Sequence, residues 1–217
     1  LHGGPTSQAL ADWNARIQWL VARGCAVLQP NYRGSTGHGR AYTQSLNGGW
    51  GVMDVADVAA AIRHATKDGW CDPARVVLMG GSAGGFTAML VAADQPDLVA
   101  GVIALYPVAD LLDLAATTHR FESGYHLRLV GPLPESAALY RARSPVSVAA
   151  GVRAPVLLLH GSADHSVRPE QSAALAARLP SVERHVYEGE GHGWRRAATV
   201  ADELARIEAF LTSHALA

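Results

Sequence analysis

Gly80-Gly81-Ser82-Ala83-Gly84-Gly85 stands between the apolar run Val76-Val77-Leu78-Met79 and the segment Phe86-Thr87-Ala88-Met89-Leu90-Val91-Ala92. That order reads as strand, sharp turn and helix, with a serine at the apex of a G-x-S-x-G sequence. So tight a turn leaves no room for side chains beside the serine. Glycine is needed on both sides, and the hydroxyl is pushed out at the carboxyl edge of the sheet. The plain alternative is an ordinary glycine-rich turn. A serine hydroxyl becomes a useful nucleophile only when a base takes its proton. Of the ten histidines, His192 sits in the glycine-flanked loop Gly189-Glu190-Gly191-His192-Gly193-Trp194, just after a strand-like segment. An acid to orient that imidazole should fall between serine and histidine in chain order. Asp164 fits, in the turn His160-Gly161-Ser162-Ala163-Asp164 at the end of an apolar run. Asp110 and Asp113 are the reserve candidates, should Asp164 instead cap the helix that follows. His2-Gly3-Gly4-Pro5 suggests an oxyanion hole, because glycine lets a backbone N–H approach a developing negative oxygen. Gly4 and Ala83 would be its donors.

These groups converge only if the elements carrying them share one sheet edge. Trp13, Ile17, Leu20 and Val21 fit one helical face, as do Val52, Val55, Val58 and Ile62. Residues 82–93 and 169–179 read as further helices, and Val200, Leu204, Ile207 and Leu211 mark a last amphipathic one. Strands are expected at 25–28, 75–79, 101–106, 155–160 and 183–187, with Leu1 as the stub of a sixth. Near-continuous apolar strands alternating with helices imply a parallel sheet covered on both faces. Residues 107–154 follow a looser pattern, expected to form short helices and loops over the carboxyl end of the strands, where such folds bind ligands. Phe86 and Tyr106 lie near the turn at Ser82 and would be core or pocket wall, core being the default for buried aromatics.

The 217 residues suit one domain, and 49% hydrophobic against 17% charged residues suits a compact globule. With 18 basic and 19 acidic residues the net charge is -1, which argues against nucleic acid or an anionic membrane surface as partner. No apolar run approaches the length of a membrane span and no leader is visible, so a cytoplasmic location is expected. Cys25 and Cys71 have no C-x-x-C spacing, and a disulfide between them stays open. No H-E-x-x-H or other metal-ligand spacing occurs, and no cofactor is expected. The loop Asn31-Tyr32-Arg33-Gly34-Ser35-Thr36-Gly37-His38-Gly39 lacks the Lys-Ser/Thr ending of a phosphate loop. It reads as structural, with Arg33 paired to an acid such as Asp54.

The chain resembles the catalytic domain of the prolyl oligopeptidase family of serine peptidases, closest to its acylaminoacyl-peptidase and dipeptidyl-aminopeptidase-like branch. The resemblance rests on His2-Gly3-Gly4-Pro5, Asn31-Tyr32-Arg33-Gly34-Ser35, Trp50-Gly51, the Gly80–Gly85 stretch, Thr118-His119-Arg120-Phe121-Glu122-Ser123, Val130-Gly131-Pro132, Ser144-Pro145 and the Gly189–Gly193 loop, in that order. It implies an α/β-hydrolase fold over residues 1–217, a Ser82–His192–Asp164 triad, an oxyanion site at Gly4 and Ala83, and an acyl-enzyme. The implied substrates are short peptides. An esterase of the same fold, or an inactive or binding domain, are the other readings. Relatives carry a β-propeller domain and further strands ahead of the His-Gly-Gly loop, so a longer natural protein is expected. In many of them the Phe-Glu-Ser segment continues with arginine, where this chain has Gly124.

Overall fold

The computed structural model describes residues 1–117 and 124–216. Helices α1 (Ala15–Val21), α2 (Arg40–Gln44) and α3 (Met53–Lys67) precede the first strand, β1 (Val77–Gly81). Helix α4 (Ala83–Asp94) leads to β2 (Gly101–Leu105). Four short helices follow: α5 (Leu111–Thr117), α6 (Tyr125–Leu129), α7 (Ala137–Ala142) and α8 (Pro145–Val148). The chain then runs through β3 (Val156–Gly161), α9 (Pro169–Ala176), β4 (Val182–Tyr187) and α10 (Ala197–His214). The four strands are all parallel and lie side by side in chain order.

Successive side chains of a strand point to opposite faces, and the core divides accordingly. Leu78, Val102, Ala104, Val156 and Leu158 share one apolar cluster with residues of α3, α4 and α9. Ile103, Leu105, Leu157 and Leu159 share the other with Ile207, Phe210 and Leu211 of α10. Both faces are thus covered, which is why β2 and β3 are buried along their whole length. Burying each such aliphatic side chain stabilises the fold by about 1.5–3 kcal/mol. Glu203 on α10 is fully buried and takes a two-pronged salt bridge from Arg16, at 2.8 and 2.9 Å, which ties α1 to the same layer. A buried carboxylate left without such a partner would be costly. The edge strand β4 turns Glu183 and Arg184 to solvent, which discourages pairing with other chains.

The structure departs from the sequence reading in four places. Leu1 belongs to no strand. Residues 25–28 form no strand: Ala26, Val27 and Leu28 are exposed. A cleft of ≈650 Å³, lined by Cys25, Val27, Val77 and Met79 among others, lies between this run and β1, so no backbone ladder forms. Arg33 pairs with Asp57, not Asp54. Its guanidinium and its backbone N–H both reach the Asp57 carboxylate, at 2.6–3.0 Å. Asp54 is instead buried, accepting from the Gly51 N–H at 2.7 Å and the Thr87 hydroxyl at 2.5 Å. Trp13 lies before α1, whose N-cap is Asn14. Both cysteines are free thiols. Among the described residues no helix is long and apolar enough to cross a membrane. The segment 118–123, one of those carrying the family resemblance, lies outside the described residues.

Candidate active site

Ser82 is the residue at which β1 becomes α4. Its φ of 55° and ψ of -123° lie where side-chain-bearing residues are rarely found. The turn is held because the Ser82 N–H donates to the Leu105 carbonyl at 2.9 Å, and the Phe86 N–H donates to the Ser82 carbonyl at 3.1 Å. Close approach explains the glycines. A Cβ on Gly80 would lie 2.4 Å from the Gly84 backbone, and one on Gly84 would lie 2.4 Å from the Leu1 carbonyl oxygen and 2.7 Å from that of His2. Ala83 opens α4, so its N–H belongs to the first turn, whose amides have no acceptor within the helix.

The backbone pressed against Gly84 leads straight into the His2–Pro5 loop. His2 fixes this loop: its ring stacks on Tyr32 with centroids 4.3 Å apart, Nε2 lies 2.8 Å from the Ser35 hydroxyl, and Tyr32 donates to the His2 carbonyl at 2.9 Å. Gly4 adopts φ 116°, a conformation open in practice only to glycine. On the far side Tyr125 accepts from the Thr6 N–H at 2.9 Å and donates to the Thr6 hydroxyl. We expect Gly84→Ala to push this loop away from the serine. Thermal unfolding should register a loss of about 1–3 kcal/mol, and turnover should fall by more than substrate affinity.

Asp164 and His192 come from the loops after β3 and β4. The His192 Nδ1 lies 2.7 Å from Asp164 Oδ2. Asp164 is buried, while the His192 side chain is 27% exposed and reachable. The other carboxylate oxygen accepts from the Ser166 and Val167 N–H groups at 2.9 and 3.0 Å. Burial alone would raise the Asp164 pKa. The N–H groups of His160 and His192 and the Val167 amide outweigh it and hold the carboxyl well below the usual range. Asp164 does not cap α9, which starts after Arg168. The reserve acids are engaged elsewhere. Asp110 caps α5 through the Leu112 and Asp113 N–H groups, and Asp113 pairs with Arg168 and Gln171.

Three residues around this pair were not singled out by sequence reasoning as serving it. Glu190 is buried and accepts from the Arg195 and Arg196 N–H groups at 2.9 and 3.1 Å, closing the loop that carries His192. Tyr106, at φ 38°, packs its ring against His192 with centroids 4.6 Å apart. His160 lies beneath Asp164. Of these the sequence points only to Tyr106, as core or pocket wall; Phe86 is fully buried core against Trp50.

Ser82, Ala83, Gly4 and His192 line a single cavity of ≈540 Å³. Its walls include Trp50, Val108, Leu114, Tyr125 and Val167, and no Asp, Glu, Lys or Arg is among the described residues lining it. Among those residues, too, no group of three or more His, Cys, Asp and Glu could hold a metal ion. The arrangement offers a hydroxyl, a carboxylate-bound imidazole, helix-start and loop amides, and a recess whose described walls carry no Asp, Glu, Lys or Arg.

Residues 11–216 match the model of the prolyl oligopeptidase family. The chain is 30% identical over 221 residues to dipeptidyl peptidase family member 6 of Caenorhabditis elegans, covering 97% of this chain and 30% of that protein. It is 32% identical over 224 residues to the mouse (Mus musculus) acylamino-acid-releasing enzyme, covering 98% of this chain and 30% of that enzyme. Among solved structures, a Mycobacterium tuberculosis puromycin-hydrolyzing peptidase superposes with a TM-score of 0.95 at 39% identity, covering 98% of this chain and 33% of that one. The chain therefore spans about a third of the length of these relatives. It belongs to the prolyl oligopeptidase family and has the α/β-hydrolase fold.

Proposed function

We propose that this chain is the catalytic domain of a serine peptidase that cleaves short peptides through an acyl-enzyme on Ser82. His192 takes the Ser82 proton as the hydroxyl attacks the carbonyl, then passes it to the leaving amine. Asp164 holds His192 with its Nδ1 occupied, so that Nε2 is the nitrogen left to act as base. The N–H groups of Ala83 and Gly4 stabilise the oxyanion as charge develops on it. Water then releases the acyl group by the same steps in reverse order. The observation that carries this reading is the 2.7 Å contact between His192 and a buried Asp164, on a wall of the cavity that Ser82 also lines.

The names of the relatives describe release of acylamino acids, dipeptidyl cleavage and puromycin hydrolysis. For this chain an apolar residue on the acyl side of the cut, free or blocked at its amino end, is favoured, since no Asp, Glu, Lys or Arg is among the described residues lining the cavity. In assays of the full-length protein, apolar aminoacyl or N-acyl-aminoacyl nitroanilides should be turned over. A matched charged residue should lower kcat/KM by at least about tenfold, the scale of burying an unpaired charge. Turnover of short acyl esters with none of any amide would replace the peptidase reading with an esterase.

A further inference from the structure

His160, at the end of β3, touches the acid itself. It ends an otherwise aliphatic buried run, Val156-Leu157-Leu158-Leu159, and is as fully buried as they are. Its Nε2 lies 2.9 Å from the Val167 carbonyl oxygen and 3.3 Å from Asp164 Oδ2. Both neighbours are acceptors, so Nε2 carries the proton. Nδ1 is buried with no partner among the described residues. A buried polar atom without a partner is a cost that leucine or phenylalanine at this place would avoid. What the imidazole supplies in return is its single N–H, aimed at the loop that carries Asp164.

That loop closes on itself through the same group. The Val167 N–H donates to Asp164 Oδ1, the Val167 carbonyl accepts from His160, and the same His160 nitrogen stands behind the oxygen that binds His192. Rotation of the carboxylate about its own axis would have to break contacts on both oxygens. Val167 also lines the cavity, so one residue braces the acid through its backbone and forms part of the cavity wall.

We propose that His160 is a positioning residue that fixes the Asp164 carboxylate for His192. The inference rests on the assignment of Ser82, His192 and Asp164 proposed above. His160→Phe keeps the ring and removes the N–H, whereas His160→Gln places an amide N–H near the position of Nε2. With an apolar aminoacyl nitroanilide, His160→Phe should lower kcat by about 10- to 100-fold, as outer hydrogen-bond partners of a working group do, and leave KM within about threefold. His160→Gln should recover most of that loss. In the Asp164→Asn background His160→Phe should lower kcat no further, since the carboxylate it positions is gone. Thermal unfolding identifies the folded variants, and His160→Asn, whose amide stops short of Val167, substitutes for His160→Phe if that variant does not fold. Wild-type kcat in the folded variant lacking the N–H overturns the proposal. So does a loss that Gln does not rescue, or one that multiplies with Asp164→Asn. If Asp164→Asn alone leaves turnover intact, the triad assignment is what has failed.

Discussion

Ser82→Ala should abolish labelling by a fluorophosphonate probe and lower kcat by a factor on the order of 10⁶, as loss of an acyl-transfer nucleophile does. The variant should stay folded. Alanine keeps the Cβ that already tolerates φ 55° at this turn, and the bonds that hold the turn are made by backbone groups of Ser82, not by its hydroxyl. Residual turnover above the uncatalysed rate would come from the oxyanion amides and from binding in the ≈540 Å³ cavity. Labelling that survives the substitution would move the nucleophile elsewhere and remove the basis of the proposed mechanism. Intact-mass measurement after probe treatment, with circular dichroism on the same sample, decides between loss of chemistry and loss of fold.

Asp164→Asn should be the second large effect, lowering kcat about 10⁴-fold while the protein remains folded. The cause is geometric. The Ser166 and Val167 N–H groups demand an acceptor, so the asparagine oxygen would sit where Oδ1 is and its NH₂ where Oδ2 is. An NH₂ facing Nδ1 forces His192 to carry its proton on Nε2, the nitrogen that must accept from Ser82. The same NH₂ would also face the His160 N–H, a meeting of two donors. A separate readout is acid stability. A carboxyl whose pKa is lower in the folded than in the unfolded chain is the poorer proton binder when folded. Its stabilising contribution is complete above about pH 4 and is lost as pH falls toward the folded value. Asp164 is such a group. Wild-type protein should therefore lose stability on acidification more steeply than Asp164→Asn, and equal slopes would show that Asp164 is not the carboxyl responsible.

The turn at Ser82 was readable because its chemistry is local. Six consecutive residues must be small for strand and helix to approach, and the glycines say so. Asp164 and His192 were readable because each lies just past an apolar segment, and a parallel sheet sends all such loops to one edge. Contacts between distant segments left no comparable trace. Nothing in the spacing of Arg33 distinguishes Asp54 from Asp57; helix α3 settles it by burying the first and presenting the second. The run at 25–28 has the composition of a strand, yet a strand exists only where a neighbour accepts its hydrogen bonds, and composition carries no record of neighbours. His160 was hidden for the opposite reason: one polar residue closing an aliphatic strand looks like the start of the turn, and its value depends on where Val167 returns.

The loops bearing the acid and the base are joined to each other as well as to the sheet, since the Ala163 N–H donates to the Glu190 carbonyl at 2.9 Å and the Ser162 N–H to the Tyr187 carbonyl at 2.9 Å. The serine belongs to a different assembly, in which β1, the start of α4 and the His2–Pro5 strap are interlocked. The machinery is consequently built as two prefabricated halves that meet across the cavity. The sheet joins the halves: the Ser82 N–H donates to the Leu105 carbonyl at 2.9 Å and the Tyr106 N–H to the Leu159 carbonyl at 2.6 Å, so the pairing of β1, β2 and β3 sets the reach from imidazole to hydroxyl.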